Sequence, residues 1–358
     1  MSTNGINPEK VEAFAERMVG LLNEGALALM CSIGYRTKLF DTLAQIPPAT
    51  SAQIAEAAGL QERYVREWLS AMVVGRVLEY DPDMDAYHLP AEHAALLTRQ
   101  AGADNLALYT QHIGGLGSVE DNIVDCFFKG GGVPYSAFAR FHEVMAEDSG
   151  VNIVEPLIEQ ILPLVPALTE KLRQGIEVMD VGCGRGYALK RLAQTFPKSR
   201  FFGFDFSEEA IAVAQADAET LGLTNLRFEV KDAATLNDSN QYDLITTFDA
   251  VHDQAYPGKV LRNIARALKP GGIYLMQDIA GSSHLHHNLD HPLAPFLYTI
   301  STMHCMTVSL AYGGEGLGTM WGKEKALELL AQAGFTHTKV RQLPHDIMND
   351  YYISTRQE

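Results

Sequence analysis

The chain is short of positive charge, sparing with cysteine, and free of low-complexity tracts and internal repeats. Lysine and arginine number 28 against 44 aspartates and glutamates, a formal charge of −16 over 358 residues. A surface of that sign repels nucleic acid and anionic membrane at long range. The four cysteines, Cys31, Cys126, Cys183 and Cys305, include no C-x-x-C pair. Their usage fits a reducing cytoplasm better than a disulfide frame. Glu12, Glu16 and Arg17 interrupt the first apolar helix, so no unbroken apolar run approaches membrane-spanning length. The polar stretch Met1 to Lys10 does not have the form of a signal peptide. These absences lead to the expectation of a cytoplasmic protein with no membrane partner. With 47% hydrophobic residues, the chain can bury one large or two ordinary cores.

What is present centres on Met179-Asp180-Val181-Gly182-Cys183-Gly184-Arg185-Gly186. Ile176 to Met179 reads as a short buried strand, and Tyr187 to Phe196 has apolar residues at helical spacing. Strand, glycine-rich turn and helix together bring bare backbone against a nucleotide. The next apolar run, Arg200 to Phe204, closes on Asp205 about twenty residues further on, where a carboxylate can accept hydrogen bonds from both ribose hydroxyls. The spacing is G-x-G-x-G, and Asp180 stands two residues before the first glycine. A carboxylate there is unfavourable beside a pyrophosphate but favourable beside the ammonium and sulfonium of S-adenosylmethionine.

On these residues the chain resembles the class I S-adenosylmethionine-dependent methyltransferases, over roughly residues 171 to 358. The resemblance implies an α/β fold with a Rossmann-like, seven-stranded, mostly parallel sheet. Its expected strands continue at Leu226–Val230, Tyr242–Phe248, Ile273–Gln277, Thr336–Leu343 and Tyr351–Thr355, with ligand outside their carboxyl ends. Ser207 is suited to cap a helix from Glu208 to Leu221. The resemblance also implies a cofactor site of Asp180, Gly182, Gly184, Gly186, Asp205, Phe206, Asp232, Ala233, Phe248 and Asp249. In it, Asp232 would meet the adenine amino group. The product would be S-adenosylhomocysteine, and no metal is expected.

The first part of the chain has a different pattern. Helices are expected over Lys38–Ile46, Ser51–Ala58 and Gln61–Val74, then short strands at Val77–Tyr80 and Tyr87–Leu89. Helix-turn-helix plus wing is a frequent DNA-reading module. Here Glu62 and Glu67 flank Arg63 and Arg66, and the wing tip, Asp81-Pro82-Asp83-Met84-Asp85, is acidic, which opposes DNA binding. The same module precedes the catalytic domain of plant-type small-molecule O-methyltransferases and of a related bacterial group whose substrates are largely unassigned. In the plant-type enzymes it dimerises, so a homodimer is expected. The division expected is a winged-helix domain at 1–97, a helical insertion or lid at 98–150, and a methyltransferase domain at 151–358. Within the insertion, His112, Tyr135 and Phe138 are candidates for the substrate pocket, as is Cys305 beyond it.

Methyl transfer from a sulfonium needs a positioned, sufficiently basic nucleophile in a dry site. His252, just past the fourth strand, is the candidate general base. Asp253 is its candidate partner, with helix capping an equal alternative because adjacent side chains often diverge, and the His-Asp pair aligns with that of the plant-type enzymes. His304 is a further catalytic candidate. Gln254 to Pro257 lacks the tryptophan common in the plant enzymes, which weighs against a planar phenolic acceptor. The acceptor expected is oxygen or sulfur on a small molecule. A small thiol or sulfide, partly ionised near neutral pH, is the alternative that needs least help from a base. A winged-helix regulator that only senses S-adenosylmethionine is the alternative of another class. His284, His286, His287 and His291 crowd one loop, but their spacing matches no supported metal motif.

Overall fold

The computed structural model describes residues 5–356 and falls into two compact units, Met1–Gly114 and Gly115–Glu358. The boundary lies inside the segment expected as an insertion; the first four residues of the polar start, Met1 to Asn4, lie outside the described residues.

The first unit opens with one 29-residue helix, Pro8–Arg36, capped by the Asn7 side chain, which accepts from the Glu9 amide at 2.9 Å. Between Met18 and Tyr35 its single charged residue is Glu24. The absence of an unbroken apolar run therefore misled: this helix is long and apolar enough to cross a membrane, by length and composition alone. It is also mostly uncovered, with Phe14 60% and Leu22 74% exposed. Helices Leu39–Gln45, Ser51–Ala58 and Glu62–Val74 follow, then the hairpin of β1 (Glu79–Asp81) and β2 (Ala86–His88). Thr50 and Gln53 form a capping box at the start of the second of these helices. Trp68 anchors the third to the long helix by donating to the Met30 carbonyl at 2.8 Å. Both arginines of Glu62–Val74 are taken up on the helix surface, Arg63 by Glu67 and Arg66 by Glu62.

The second unit is built on a seven-stranded sheet in the order β5-β4-β3-β6-β7-β9-β8. These are β3 (Glu177–Val181), β4 (Arg200–Asp205), β5 (Leu226–Val230), β6 (Tyr242–Phe248), β7 (Leu268–Ile279), β8 (Thr338–Leu343) and β9 (Asp346–Thr355). The first five run parallel, and β9 lies antiparallel between β7 and β8. The mixed, mostly parallel Rossmann-like sheet is as expected; β7 begins earlier, at Leu268, and carries the Lys269-Pro270-Gly271-Gly272 stretch within it. Helices cover both faces, so the central strands are buried on both sides and mostly apolar rather than alternating, with Asp180, Thr246 and Thr247 as buried polar exceptions. Strand order reverses at β3, with β4 on one side and β6 on the other. That switch point opens a crevice beyond the carboxyl ends of the strands. Residues 301–305 form a π-helical turn that leads into helix Met306–Ala311.

Candidate active site

The turn after β3 needs its glycines for distinct reasons. Gly182, Gly184 and Gly186 all have φ in the left-handed region, at 72°, 53° and 70°. A Cβ on Gly182 would stand 2.6 Å from the Ala250 Cβ, and one on Gly186 2.3 Å from the Phe228 ring. At Gly184 nothing lies within 4 Å, so there the backbone faces open space. Asp205, ending the neighbouring β4, ties the loop down. Its Oδ2 accepts from the Gly184 amide and its Oδ1 from the Ser207 amide, both at 2.9 Å. Each oxygen keeps a lone pair for a ligand hydroxyl.

This turn is one wall of a cleft whose lining includes Asp180, Asp205, Asp249, Asp253, Phe206 and Phe248. The Asp180 carboxylate, at the floor, accepts from the Thr246 hydroxyl at 2.7 Å. Burial outweighs that bond and, with Asp205 nearby, pushes Asp180 up to about 7. Burial likewise raises Asp249 and Asp253 to about 6, against the opposing pull of His252. Asp249 sits at φ 52°, a conformation uncommon for a side-chain-bearing residue. Arg185 reaches across to Glu209 at 2.7 Å, and its Nε is buried with no hydrogen-bond partner.

His252 stands behind this lining rather than in it, 2% exposed. Its ring partner is Asp278, at the end of β7: Nδ1 lies 2.8 Å from Oδ1, and Trp321 donates to the same oxygen at 3.0 Å. Burial by itself would lower the imidazole pKa. Asp278 and Cys305, both at the ring, together outweigh it and hold the imidazole well above its usual value. The adjacent Asp253 points instead into the cleft, where its Oδ2 accepts the Tyr135 hydroxyl. Successive side chains diverge at the start of this turn, which is why sequence adjacency named the wrong partner for the ring. Asp249, His252 and Asp278 are also the one set of three His, Cys, Asp or Glu residues, among the described residues, whose ligand atoms lie within 4.8 Å of one another.

An aromatic cluster adjoins the cleft. The Tyr135 ring lies 5.1 Å from Phe206 and 5.5 Å from Phe141, while Phe141 stacks on His304 at 3.9 Å. Phe138 packs edge-on against His304, and the Cys305 thiol lies 3.6 Å from His304 Nδ1. Phe138, His304 and Cys305 thus form a buried layer behind Tyr135. His142, the second residue of helix Phe141–Ser149, meets the Ser207 hydroxyl at 3.2 Å.

Other expected residues lie elsewhere. Asp232 caps the short turn Ala233–Thr235 through the Ala234 amide at 2.8 Å; neither it nor Ala233 lines the cleft. His112 belongs to the first unit. The rings of His284, His286 and His287 pack on one another 4.0–5.8 Å apart. Sequence reading missed the roles of Asp278 and Trp321 and the tie between Arg185 and Glu209. A signal for Asp278 did exist, since an acidic residue closing an apolar strand repeats the pattern of Asp205.

Comparison with known proteins agrees with this geometry. Residues 172–334 match a methyltransferase domain model, and residues 25–99 match the Rv2258c-like winged HTH domain. The chain therefore carries a methyltransferase domain behind a winged helix-turn-helix domain. It is 29% identical over 153 residues to a malonyl-[acyl-carrier protein] O-methyltransferase of Bacillus cereus, covering 41% of this chain and 49% of that protein. It is 34% identical over 113 residues to a trans-aconitate 2-methyltransferase of Deinococcus radiodurans, covering 32% and 42%. The chain thus spans about half, or less, of the length of these relatives. Two solved structures share the fold across nearly the whole chain, each at 18% identity. Human N-acetylserotonin methyltransferase in complex with SAM has a TM-score of 0.70 over 100% of both chains. The mitomycin 7-O-methyltransferase has 0.67, over 97% of this chain and 99% of its own.

Proposed function

We propose that the chain transfers a methyl group from S-adenosylmethionine to an oxygen or sulfur of a small molecule. The observation that carries this reading is the cleft itself: an open glycine backbone at Gly184, Asp205 with free lone pairs beside it, and Asp180 buried at the floor. A buried carboxylate raised to about 7 is stabilised by an arriving cation, and the donor brings two, its ammonium and its sulfonium. The partnerless Arg185 Nε suits the carboxylate of the donor's amino-acid tail. Asp205 takes the ribose hydroxyls. The bound donor supplies an activated methyl; the chain's residues orient it and exclude water.

His252 is proposed as the general base, with Asp278 rather than Asp253 as the orienting carboxylate. A base held by a carboxylate on its second nitrogen keeps its tautomer and orientation. An acceptor reaches the ring by displacing the Tyr135 layer. A thiol acceptor needs this base less than a hydroxyl does, because part of it is already thiolate. We also propose a homodimer formed through the uncovered apolar face of helix Pro8–Arg36, working in the cytoplasm. The deciding experiment follows S-adenosylhomocysteine release across phenols, alcohols, thiols and sulfide. Donor binding with turnover of at least one class supports the reading; a protein that does not bind the donor refutes it.

A further inference from the structure

We propose that the cleft selects its acceptor by charge: it admits a neutral or cationic molecule that offers a hydrogen-bond donor to Asp253, and it rejects carboxylates. The inference rests on the methyl-transfer reading of this cleft and adds the class of acceptor to it.

Four carboxylates, Asp180, Asp205, Asp249 and Asp253, line the cleft. Among the described lining residues Arg185 is the single guanidinium, and there is no lysine. Arg185 is already held by Glu209, and its one open donor faces the end where the methyl donor's own carboxylate belongs. An acceptor carboxylate would therefore enter a wall of four carboxylates; among the described lining residues the one further basic nitrogen is that of His142, which already meets the Ser207 hydroxyl, and the His252 ring behind the lining is engaged by Asp278. At short range and low local dielectric that repulsion is severe. The wall is already under load, since burial destabilises Asp249 as an anion and Asp278 and Asp253 add to this, with His252 offsetting part of it. The sulfonium relieves part of this, and an acceptor anion would restore it.

Asp253 shows what the cleft accepts instead. Its carboxylate takes the phenolic hydrogen of Tyr135, so it is already aimed at a neutral donor. Tyr135 and Phe206, 5.1 Å apart, provide a ring surface beside it. An acceptor that carries O–H, S–H or N–H can replace Tyr135 at Asp253 with no net change in buried charge. A cationic amine gains further from the four carboxylates.

The test uses three ring-bearing probes of similar shape and different charge: benzamide, benzoate and benzylamine. Each is titrated calorimetrically into the full-length protein saturated with S-adenosylhomocysteine, so that no turnover interferes. Benzamide and benzylamine are expected to bind at least tenfold more tightly than benzoate. Asp253→Asn should narrow that gap, while Tyr135→Phe, which frees the carboxylate, should tighten benzamide several-fold. A merely structural Tyr135 would weaken all three probes alike. Equal or tighter binding of benzoate, or failure of all three to bind the loaded protein, overturns the proposal. Failure of S-adenosylhomocysteine itself to bind is a separate outcome, and it overturns the methyl-transfer reading beneath.

Discussion

At the scale of single residues, Asp205 and His252 separate binding from chemistry. Asp205→Ala removes the proposed ribose contact and one tie on the glycine turn. Donor affinity should fall by about 2–3 kcal/mol, the range for hydrogen bonds to a charged group, as measured by calorimetry. His252→Ala should bind the donor nearly normally and lose about 10²–10⁴-fold in turnover on a hydroxyl acceptor. Joint loss of affinity and turnover would place His252 in the cofactor site. Because Asp278 and Cys305 hold the imidazole well above its usual pKa, the neutral, proton-accepting form grows as pH rises through that elevated value. Activity should therefore climb on the alkaline side, and Asp278→Asn should move the limb downward in pH. A limb that does not move would dissociate Asp278 from catalysis. The acidic lining gives a second pH dependence. Asp180, at about 7, and Asp249 and Asp253, at about 6, are raised above their unfolded values. The stability they contribute is full below about pH 4 and is lost as pH rises through 6 to 7. A bound cation offsets that loss, so the thermal shift on adding S-adenosylmethionine should be larger at pH 7.5 than at pH 5. The opposite trend would remove these carboxylates from the donor's surroundings.

At the scale of elements, two glycine segments decide where chains can touch. Gly186→Ala would drive a Cβ to 2.3 Å from the buried Phe228 ring, at a left-handed φ. It should cost stability as well as donor binding, unlike Asp205→Ala, and thermal melting distinguishes the two. In Gly130-Gly131-Gly132, the last residue lies so close to helix Met306–Ala311 that its Cβ would fall 1.9 Å from the Thr307 carbonyl oxygen. That approach brings Val133 to the Thr307 hydroxyl at 2.9 Å and sets Tyr135 over Asp253. The glycine run is visible in the sequence; its purpose is not, because the helix it meets lies more than 170 residues away. The π-helical turn at 301–305, which holds His304 and Cys305, was likewise not foreseen from the sequence.

For the whole molecule, the open question raised by the first helix is what covers it. An apolar helix of 29 residues with Phe14, Leu21 and Leu22 exposed is a contiguous patch of the kind that marks an interaction surface. Light scattering at micromolar concentration should give twice the chain mass, and replacing Phe14 and Leu22 by glutamate should give the monomer. A wild-type monomer that floats with lipid vesicles would reassign the helix to a membrane. Duplex DNA should not bind at physiological salt, given a net charge of −16 and the pairing of Arg63 and Arg66 with glutamates on their own helix. Tight, salt-sensitive binding would revive the regulator.

The fold and the glycine-turn wall of the cleft were legible in the sequence because both depend on local rules. Strand periodicity, glycines at positive φ and an acidic residue closing a strand are written within a few residues of one another. The turn Gly182–Gly186, Asp205 and the Ser207 cap could therefore be named before any coordinates. The catalytic and acceptor groups obey no such rule. Asp278 meets His252 across two strand ends, and Tyr135 meets Asp253 across 118 residues. Adjacency in the chain favoured Asp253 as the partner of His252, but neighbouring side chains in a turn point apart, and only the packed sheet determines which carboxylate arrives. Asp232, named from its place after a strand, accepts from the Ala234 amide through Oδ1. Sequence order settles what lies along one strand and its turn; which side chains share a cleft is decided by the crossover connections that bring distant strand ends together.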